Sequence, residues 1–563
     1  MRVWLLLLLA GTAQADSILN SKHDFSVTGP GPVKALTESE VCLFCHTPHR
    51  STDQMPLWNH TLSSATYIPY SSSTTKATIG QPTGASKLCL SCHDGTVAIG
   101  MVNSRTAPIE MQNAVTTLPA GSSNLRTDLS DDHPVSFRYD SALVSATGQL
   151  RDPNTLTGRV RLDHGGEMQC TACHDPHNNQ YGKFLVAQNT ASALCVTCHD
   201  MRYWNNTDHR TSTKTWNGLG QNPWPNTTEN TVAANACGSC HTPHAAGTRQ
   251  RLLTVAGENQ DCYVCHNGNV AAQNIEAEFN KPSAHSVTAV ATVHDPTEDP
   301  INAPRHAACA DCHNPHAAKS AIATAPNANG ALAGVTGVNA AGTVVEPLAR
   351  EYELCYRCHA DSNNRGPARV SRQFVQTNAR LEFHTGNASY HPVVLPGRNP
   401  TVPSLISPMT VSSQIYCTDC HNNNDSAGPH GPHGSTYVPI LERRQELSDY
   451  ESENSAIYAM CYKCHDRQSI LNNQSFPYHR LHIVDQKTAC ATCHDSHGLA
   501  ENPHLINFNL LYCSPSSNGR LEYISTGPQA GNCSVTCHGK DHNAQTYPTA
   551  LPPMLRQPGK RGR

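Results

Sequence analysis

The sequence predicts an irregular, mostly loop fold in which short α-helices wrap a row of non-protein groups, with a minor β-hairpin near the C-terminus. Three observations predict it. Only 38% of the 563 residues are hydrophobic and 6% aromatic, while 36 Gly and 38 Pro interrupt regular structure. A chain so poor in large apolar side chains cannot fill several protein cores at the usual density, so something else must fill them. The chain also holds 25 Cys and 33 His, and nearly all the Cys fall into one motif repeated along its length.

That motif is C-x-x-C-H. It occurs eleven times: Cys42/Cys45/His46, Cys89/Cys92/His93, Cys170/Cys173/His174, Cys195/Cys198/His199, Cys237/Cys240/His241, Cys262/Cys265/His266, Cys309/Cys312/His313, Cys355/Cys358/His359, Cys417/Cys420/His421, Cys461/Cys464/His465 and Cys490/Cys493/His494. A twelfth, Cys533/Cys537/His538, carries one extra residue between its cysteines. The spacing has a chemical reason. Two thioethers form on the two vinyl groups of one porphyrin edge, and the following His turns back beneath the iron as its proximal ligand. Zinc ribbons pair two C-x-x-C units and have no use for a His after each one, and a thioredoxin-like redox motif occurs once. The cofactor expected is therefore covalent haem c, about twelve per chain. Cys513 alone has no motif and reads as a small buried hydrophobe.

The sixth position on each iron separates electron transfer from catalysis. Nine Met, the initiator included, are too few to fill it. Twelve of the 33 His are proximal, and the remaining 21 are enough. The motifs fall into six successive pairs. The first motif of a pair is usually followed by a His three residues on: His49, His177, His244, His316 and His497, with His433 in the same role for the fifth pair. That offset is about one helical turn, too short to reach the far face of the residue's own haem, so the second His must serve a neighbour. Each pair also has an upstream His in a compact polar context: His23, His133, His209, His285, His391 and His482. These twelve are the distal candidates. His60, His164, His294, His306, His384, His430, His479, His504 and His542 are left as surplus.

The repeat sets the organisation. Residues 1–15, with Arg2 before an apolar run and Ala13-Gln14-Ala15 at the end, read as a signal peptide. The haem pairs then span 16–115, 116–203, 204–273, 274–372, 373–473 and 474–563, the last with a basic tail. Residues 205–230 read as loop, and 321–342 as a low-complexity surface excursion. Each motif should open a short helix. Strands are expected over 505–512 and 520–525, with a turn at 514–519. The formal net charge of -4 is too small to point to nucleic acid or a membrane surface, and no later segment is apolar enough to span a bilayer.

The segments KHDFSVTGPG, VCLFCHTPH and SKLCLSCHDGTVAIG resemble the opening module of a "doubled CxxCH" multihaem cytochrome. GPHGSTYVPILERR, CYKCHDRQSILNNQSFPYHRLHIVDQKTACATCHDSHG and CSVTCHGKDH extend the likeness to exported dodecahaem cytochromes of metal-reducing bacteria. The C-x-x-x-C-H spacing also occurs in such relatives, so Cys533/Cys537/His538 counts as a haem site. The resemblance implies bis-histidine haems, a periplasmic or cell-surface location, and electron delivery to outer-membrane or extracellular acceptors. Other redox proteins are the implied partners, with self-assembly into conductive filaments as a further option. The chain is expected to be an electron-transfer protein with no catalytic residues. The alternative is a multihaem reductase, which would need one haem with an open position.

Overall fold

A computed structural model describes residues 18–51, 57–287 and 293–548. The signal peptide and the basic tail from Pro552 onward lie outside these residues. The chain divides into two compact units, one of residues 1–205, 209–264 and 295–297, the other of 206–208, 265–294 and 298–563.

Neither unit has a single large core. In the first, Phe25, Val33, Phe44, Ile99 and Met111 form one small cluster, Tyr67, Leu90 and Leu129 a second, and Phe137, Tyr139, Leu143, Met168 and Val186 a third. In the second, one cluster gathers Val338, Tyr352, Tyr356, Phe383 and Tyr390. A second gathers Ile457, Tyr458, Leu471 and Ile483, and a third Phe508, Cys513, Tyr523, Val535 and Tyr547. Clusters of this size bury too little apolar surface to offset the ordering of hundreds of loop residues by themselves. The composition already implied as much.

Secondary structure is sparse and is organised around the motifs. Three motifs close α-helices: α1 (Gly84–His93), α2 (Glu258–His266) and α3 (Glu351–His359). The expectation was that each motif opens a helix, but these helices run into the motif and stop at its His. The start of α3 shows why. The Glu353 carboxylate accepts from the amides of Ala349 and Arg350 at 2.7 and 3.0 Å, fixing the first turn ahead of the cysteines. Eight other motifs sit on single helical or 3-10 turns, such as Cys170–Ala172 and Cys490–Cys493.

Polar side chains couple α1 and α3 to the motif that follows each. In the first unit, Ser86 of α1 accepts from the Cys170 amide at 3.1 Å, and Gln169 accepts from the Ser86 amide at 3.2 Å. In the second, the Glu351 carboxylate of α3 takes bonds from the amide and hydroxyl of Thr418 at 3.0 and 2.9 Å.

Two expectations are corrected. Residues 321–342 are not a plain surface excursion. Gly337–Val338 pairs with Val344–Val345, and Val338 is fully buried against α3. The C-terminal strands are also placed differently. Residues 505–512 form bridges and turns, because the Asn507 side chain bonds Asp495 and Phe374 and the Asn509 side chain accepts from the Leu511 amide. The sheet has four strands: β1 (Cys513–Ser514), β2 (Glu522–Gly527), β3 (Ala530–Cys537) and β4 (Lys540–Tyr547). The order is β2-β3-β4, and β1 also pairs with β3. β3 runs through the twelfth motif, which a reading of that motif as a helical turn had hidden.

Candidate functional site

The single-turn motifs share one backbone device. The amide of the motif His donates to the carbonyl of the first Cys, at 2.8 Å in His46 and 2.9 to 3.0 Å in His174, His199, His241, His313, His421, His465 and His494. This closes the turn and brings both sulfurs to one side. It also sends the chain away extended, so that the motif His forms a backbone bridge with a distant residue: Leu185 for His174, Leu253 for His241, Leu441 for His421.

The same crossing strand supplies an acceptor for the ring. Nδ1 of His174, His241, His313, His421 and His494 lies 2.8 to 3.0 Å from the carbonyls of Lys183, Arg251, Ala331, Pro439 and His504. His93 uses Ser123 at 2.6 Å, and His465 uses the Ser404 hydroxyl at 3.0 Å. With Nδ1–H donated to a carbonyl, Nε2 carries the lone pair.

Those lone pairs face partner rings. Eight motif His are matched with eight distal candidates: His23–His93, His46–His177, His133–His199, His174–His244, His285–His359, His313–His433, His391–His465 and His421–His497. Their centroids lie 6.0 to 6.5 Å apart, too far for ring contact and nearly constant while the interplanar angles range from 17° to 81°. Two imidazoles on opposite sides of one metal ion, each bonded at about 2 Å, put their centroids roughly 6 Å apart. A common separation with free rotation is what axial ligation imposes.

Several of the buried rings are kept neutral. Burial, reinforced by the partner ring, holds His23, His199 and His465 down to about 4, and His433 and His479 to about 3. At neutral pH their lone pairs are available. Two distal rings have a carboxylate behind them: Asp132 Oδ1 lies 3.0 Å from His244 Nδ1, and Glu382 Oε2 lies 2.9 Å from His497 Nδ1. Burial would lower His497, but the Glu382 carboxylate outweighs it and holds the ring higher.

The distal His come in adjacent couples. Ser283–Ala284 pairs with Gly434–Ser435, which sets His285 beside His433. Ser389–Tyr390 pairs with Gly498–Leu499, and the His391 amide donates to the His497 carbonyl at 2.8 Å. Gly434 is required here, since a Cβ would meet the Glu278 carbonyl oxygen at 1.9 Å. In the first unit the His133 amide donates to Pro243, next to His244, and His23 Nδ1 lies 3.3 Å from the Pro176 carbonyl, next to His177. Each couple joins an upstream His to a His from the following motif pair.

A family model described as the doubled CXXCH motif matches residues 164–202 and 230–271. Multiheme cytochrome MtrA of Shewanella baltica (strain OS185) is 27% identical over 212 residues, 36% of this chain and 44% of that protein. The chain is a multihaem c-type cytochrome of the doubled CxxCH family. The matched residues hold the third to sixth motifs, with His174, His177, His199, His241, His244 and His266. The cytochrome spans less than half the length of the curated relative it matches. Its C-x-x-C-H motifs indicate covalently bound haem c, and among the described residues no helix is long and apolar enough to cross a membrane.

Not every expected site residue finds such a place. Cys240 and Cys265, the second cysteines of the two motifs in the third pair, have surroundings that their spacing does not give. The Cys240 thiol is bonded to the Asp261 carboxylate of α2, which burial pushes up to about 7 against that bond and those from the Val255 and Thr254 amides. A thioether sulfur carries no proton to donate, so haem attachment at Cys240 gives up this bond. Cys265 stands in the last turn of α2 and not on a single turn, and its carbonyl accepts from the amides of Val270 and Ala271 at 3.3 and 3.0 Å. The division between the two units falls immediately before Cys265, inside the residues expected to form the third haem pair. α2 sets an acidic side chain against one motif and carries the other on its end, as α1 and α3 carry theirs.

His49 is exposed, and no described residue pairs with or bonds its ring; only its backbone is bonded, by the Thr47 hydroxyl. His209 lies on the single turn Asp208–Thr211, and the His316 amide is bonded by Asn314. His538 is the largest departure. It sits at the β3–β4 turn with φ 51°, its Nε2 2.6 Å from Asp449 Oδ2 and its ring stacked on Tyr450. His542, four residues on, takes the pairing position 6.2 Å from His482. Cys533 and Cys537 lie on an extended strand, roughly 13 Å apart at about 3.3 Å per residue, whereas a single turn spans roughly 5 Å over three residues. The Cys537 sulfur instead contacts that of Cys513, directly opposite on β1. The ring pair at the sheet therefore fits a haem, and the sulfur spacing does not match the other sites.

Sequence reasoning also missed His479, which lies 6.3 Å from His494. Two His three residues apart in YHRLH competed for one role, and the pattern named only His482. Of the other surplus His, His60 is buried with both nitrogens near carbonyls of Thr61 and Ala98, a structural residue.

First cysteines of successive motifs also meet. The sulfur of Cys89 touches that of Cys170, Cys195 that of Cys237, Cys355 that of Cys417, and Cys461 that of Cys490. Each contact joins the second motif of one pair to the first of the next. Ring couples hold haem sites within a pair, and sulfur contacts hold them between pairs.

Proposed function

We propose that this cytochrome carries electrons along about twelve bis-histidine haems, outward towards outer-membrane or extracellular acceptors, and that it has no substrate site of its own. Haem supplies one-electron redox chemistry when bound. What the chain supplies is spacing. The observation that carries the reading is the set of ring pairs at one separation, six of the eight with a motif or partner Nδ1 tied to a carbonyl or carboxylate. Filling both axial positions leaves no coordination site for a substrate, which favours electron transfer over a reductase.

Eleven haems are assigned to the C-x-x-C-H motifs at the cysteines and proximal His named above, Cys240 and Cys265 included. Their distal ligands are His23, His133, His177, His244, His285, His391, His433 and His497, with His479 for the eleventh motif and His209 and His316 for the two remaining. The twelfth is assigned to the C-terminal sheet, between His482 and His542. The six haem pairs are assigned their sequence boundaries, and pairs one, two, four and five each borrow a ligand from the next. Export to the periplasm or cell surface rests on the signal-peptide pattern at the N-terminus. Redox partners follow from the function, and the filament alternative rests on the resemblance alone.

The test is a haem count with a spin-state measurement on the exported protein. Denaturing mass spectrometry should give twelve covalent haems, and electron paramagnetic resonance should show low-spin iron throughout. A high-spin signal would identify an open position and support the reductase instead. A count of eleven would remove the haem at the sheet.

A further inference from the structure

Outside the ring pairs, one cluster in the second unit has the donor set of a metal centre. His294, Glu298, His306 and Asp311 offer one atom each, all within 4.8 Å of one another. Nδ1 of His294 lies 3.6 Å from Glu298 Oε1 and 3.2 Å from Asp311 Oδ1, and Nε2 of His306 lies 3.2 and 3.4 Å from the same two oxygens. A tetrahedral ion bonded at about 2.0–2.1 Å to nitrogen and oxygen sets its ligands roughly 3.4 Å apart. Four distances between these donors bracket that value.

The donors are also prepared from behind. His306 Nδ1 is 2.6 Å from the Pro304 carbonyl and carries a proton, so Nε2, which faces the carboxylates, is the atom that would give a metal its lone pair. Asp311 Oδ2 accepts from the Ala308 amide at 2.7 Å, which leaves Oδ1 as a single free donor. Glu298 stands 19% exposed and His306 21%, enough for an ion to enter. A neutral Nε2 and two carboxylate oxygens at these distances repel one another unless a cation lies among them. The Arg357 guanidinium, 3.6 and 3.9 Å from the two oxygens, neutralises one carboxylate from outside the set. One negative charge is left over.

We propose that His294, Glu298, His306 and Asp311 bind a divalent first-row metal ion, with zinc the best match to two imidazoles and two monodentate carboxylates in tetrahedral array. The site is separate from the ring pairs, and its existence does not depend on how many haems the chain carries. Its place gives it a consequence: Asp311 lies between Cys309 and Cys312 of the seventh motif, so an ion bound there adds positive charge beside one haem site.

The test uses the exported holocytochrome, stripped with EDTA, incubated with zinc and desalted. Elemental analysis counts zinc against iron, and the covalent haem iron reports that the protein is intact. Wild type should retain one zinc that Glu298→Gln and His306→Ala bind at least tenfold more weakly, with iron per chain unchanged. Zinc should also raise one midpoint potential in wild type and none in Glu298→Gln. Retention of equal zinc by wild type and both variants would place the metal elsewhere. No retention by wild type would leave a His–carboxylate ion-pair cluster, with His306 doubly protonated. Either result overturns the proposal. If His306→Ala lowers the iron count, Glu298→Gln, which lies outside every motif, decides alone.

Discussion

The motif turns and the C-terminal sheet solve one problem in opposite ways. On a turn such as Cys170–Ala172, the backbone bond from His174 to Cys170 brings sulfurs and ring to one place, and little else holds the segment. In the sheet, β2, β3 and β4 satisfy their own backbone groups, and Phe508, Tyr523, Val535 and Tyr547 make an apolar cluster beneath them. The cysteines of β3 are then spread along an extended strand. An extended strand and a C-x-x-C-H turn compete for the same residues. Where the chain can stabilise itself it loses the motif geometry, and where it keeps that geometry it depends on the haem.

The largest effect should come from withholding haem. Chain produced without haem attachment should show no cooperative melting over the turn regions, because their small clusters cannot repay the loop entropy. Amide exchange should stay slowest across β2–β4. Equal protection in both regions would erase the contrast.

Next in size is a change of ligand. His244→Met should raise the potential of the haem on the third motif by on the order of 0.1 V, as Met/His ligation does relative to bis-His. At the sheet, His542→Met should move one potential and His538→Met none, read by spectroelectrochemical titration. A shift with His538→Met would return that residue to the proximal role the motif gives it.

A smaller shift of the same sign is expected from Asp132→Asn. The buried carboxylate 3.0 Å from His244 Nδ1 makes that imidazole a stronger donor and favours the oxidised iron. Removing its charge should raise the same midpoint by less than His244→Met does, with the spectrum still bis-His. An unchanged midpoint would show that the carboxylate only orients the ring.

The smallest effect belongs to His49. Within each unit, the second His of a motif pairs with the proximal His of an earlier motif: His177 with His46, His244 with His174, His497 with His421. Each of these links runs two motifs back along the chain. Among the described residues no ring stands opposite His49 at that separation. His49→Ala should leave haem count, spectrum and all midpoints unchanged. Loss of one bis-His signal would break the two-motif rule.

Much of this was legible in the residues. The eleven motif turns, the haem they carry and the shortage of apolar core all follow from local chemistry, because a thioether pair and its axial His are fixed within five consecutive residues. So did the pool of distal ligands, since Met is too scarce to serve. Which His meets which was not legible. His23 reaches His93 and His177 reaches His46 because short strand pairs and carbonyl contacts far apart in sequence bring them together. The Asp261 carboxylate against Cys240 was hidden for the same reason, since 21 residues of chain separate the two. His479 and His482 stand three residues apart, and only the fold around them sends one to His494 and the other to His542.

The sequence by itself determined what each site is made of. Tertiary structure decided the partners, took His538 and the Cys533/Cys537 spacing away from the common pattern, and gathered His294 and His306 with two carboxylates. The physical reason is range. A motif turn is closed by one hydrogen bond between near neighbours, while a ligand pair joins rings up to 131 residues apart, as in His46 and His177. No local preference specifies such a contact.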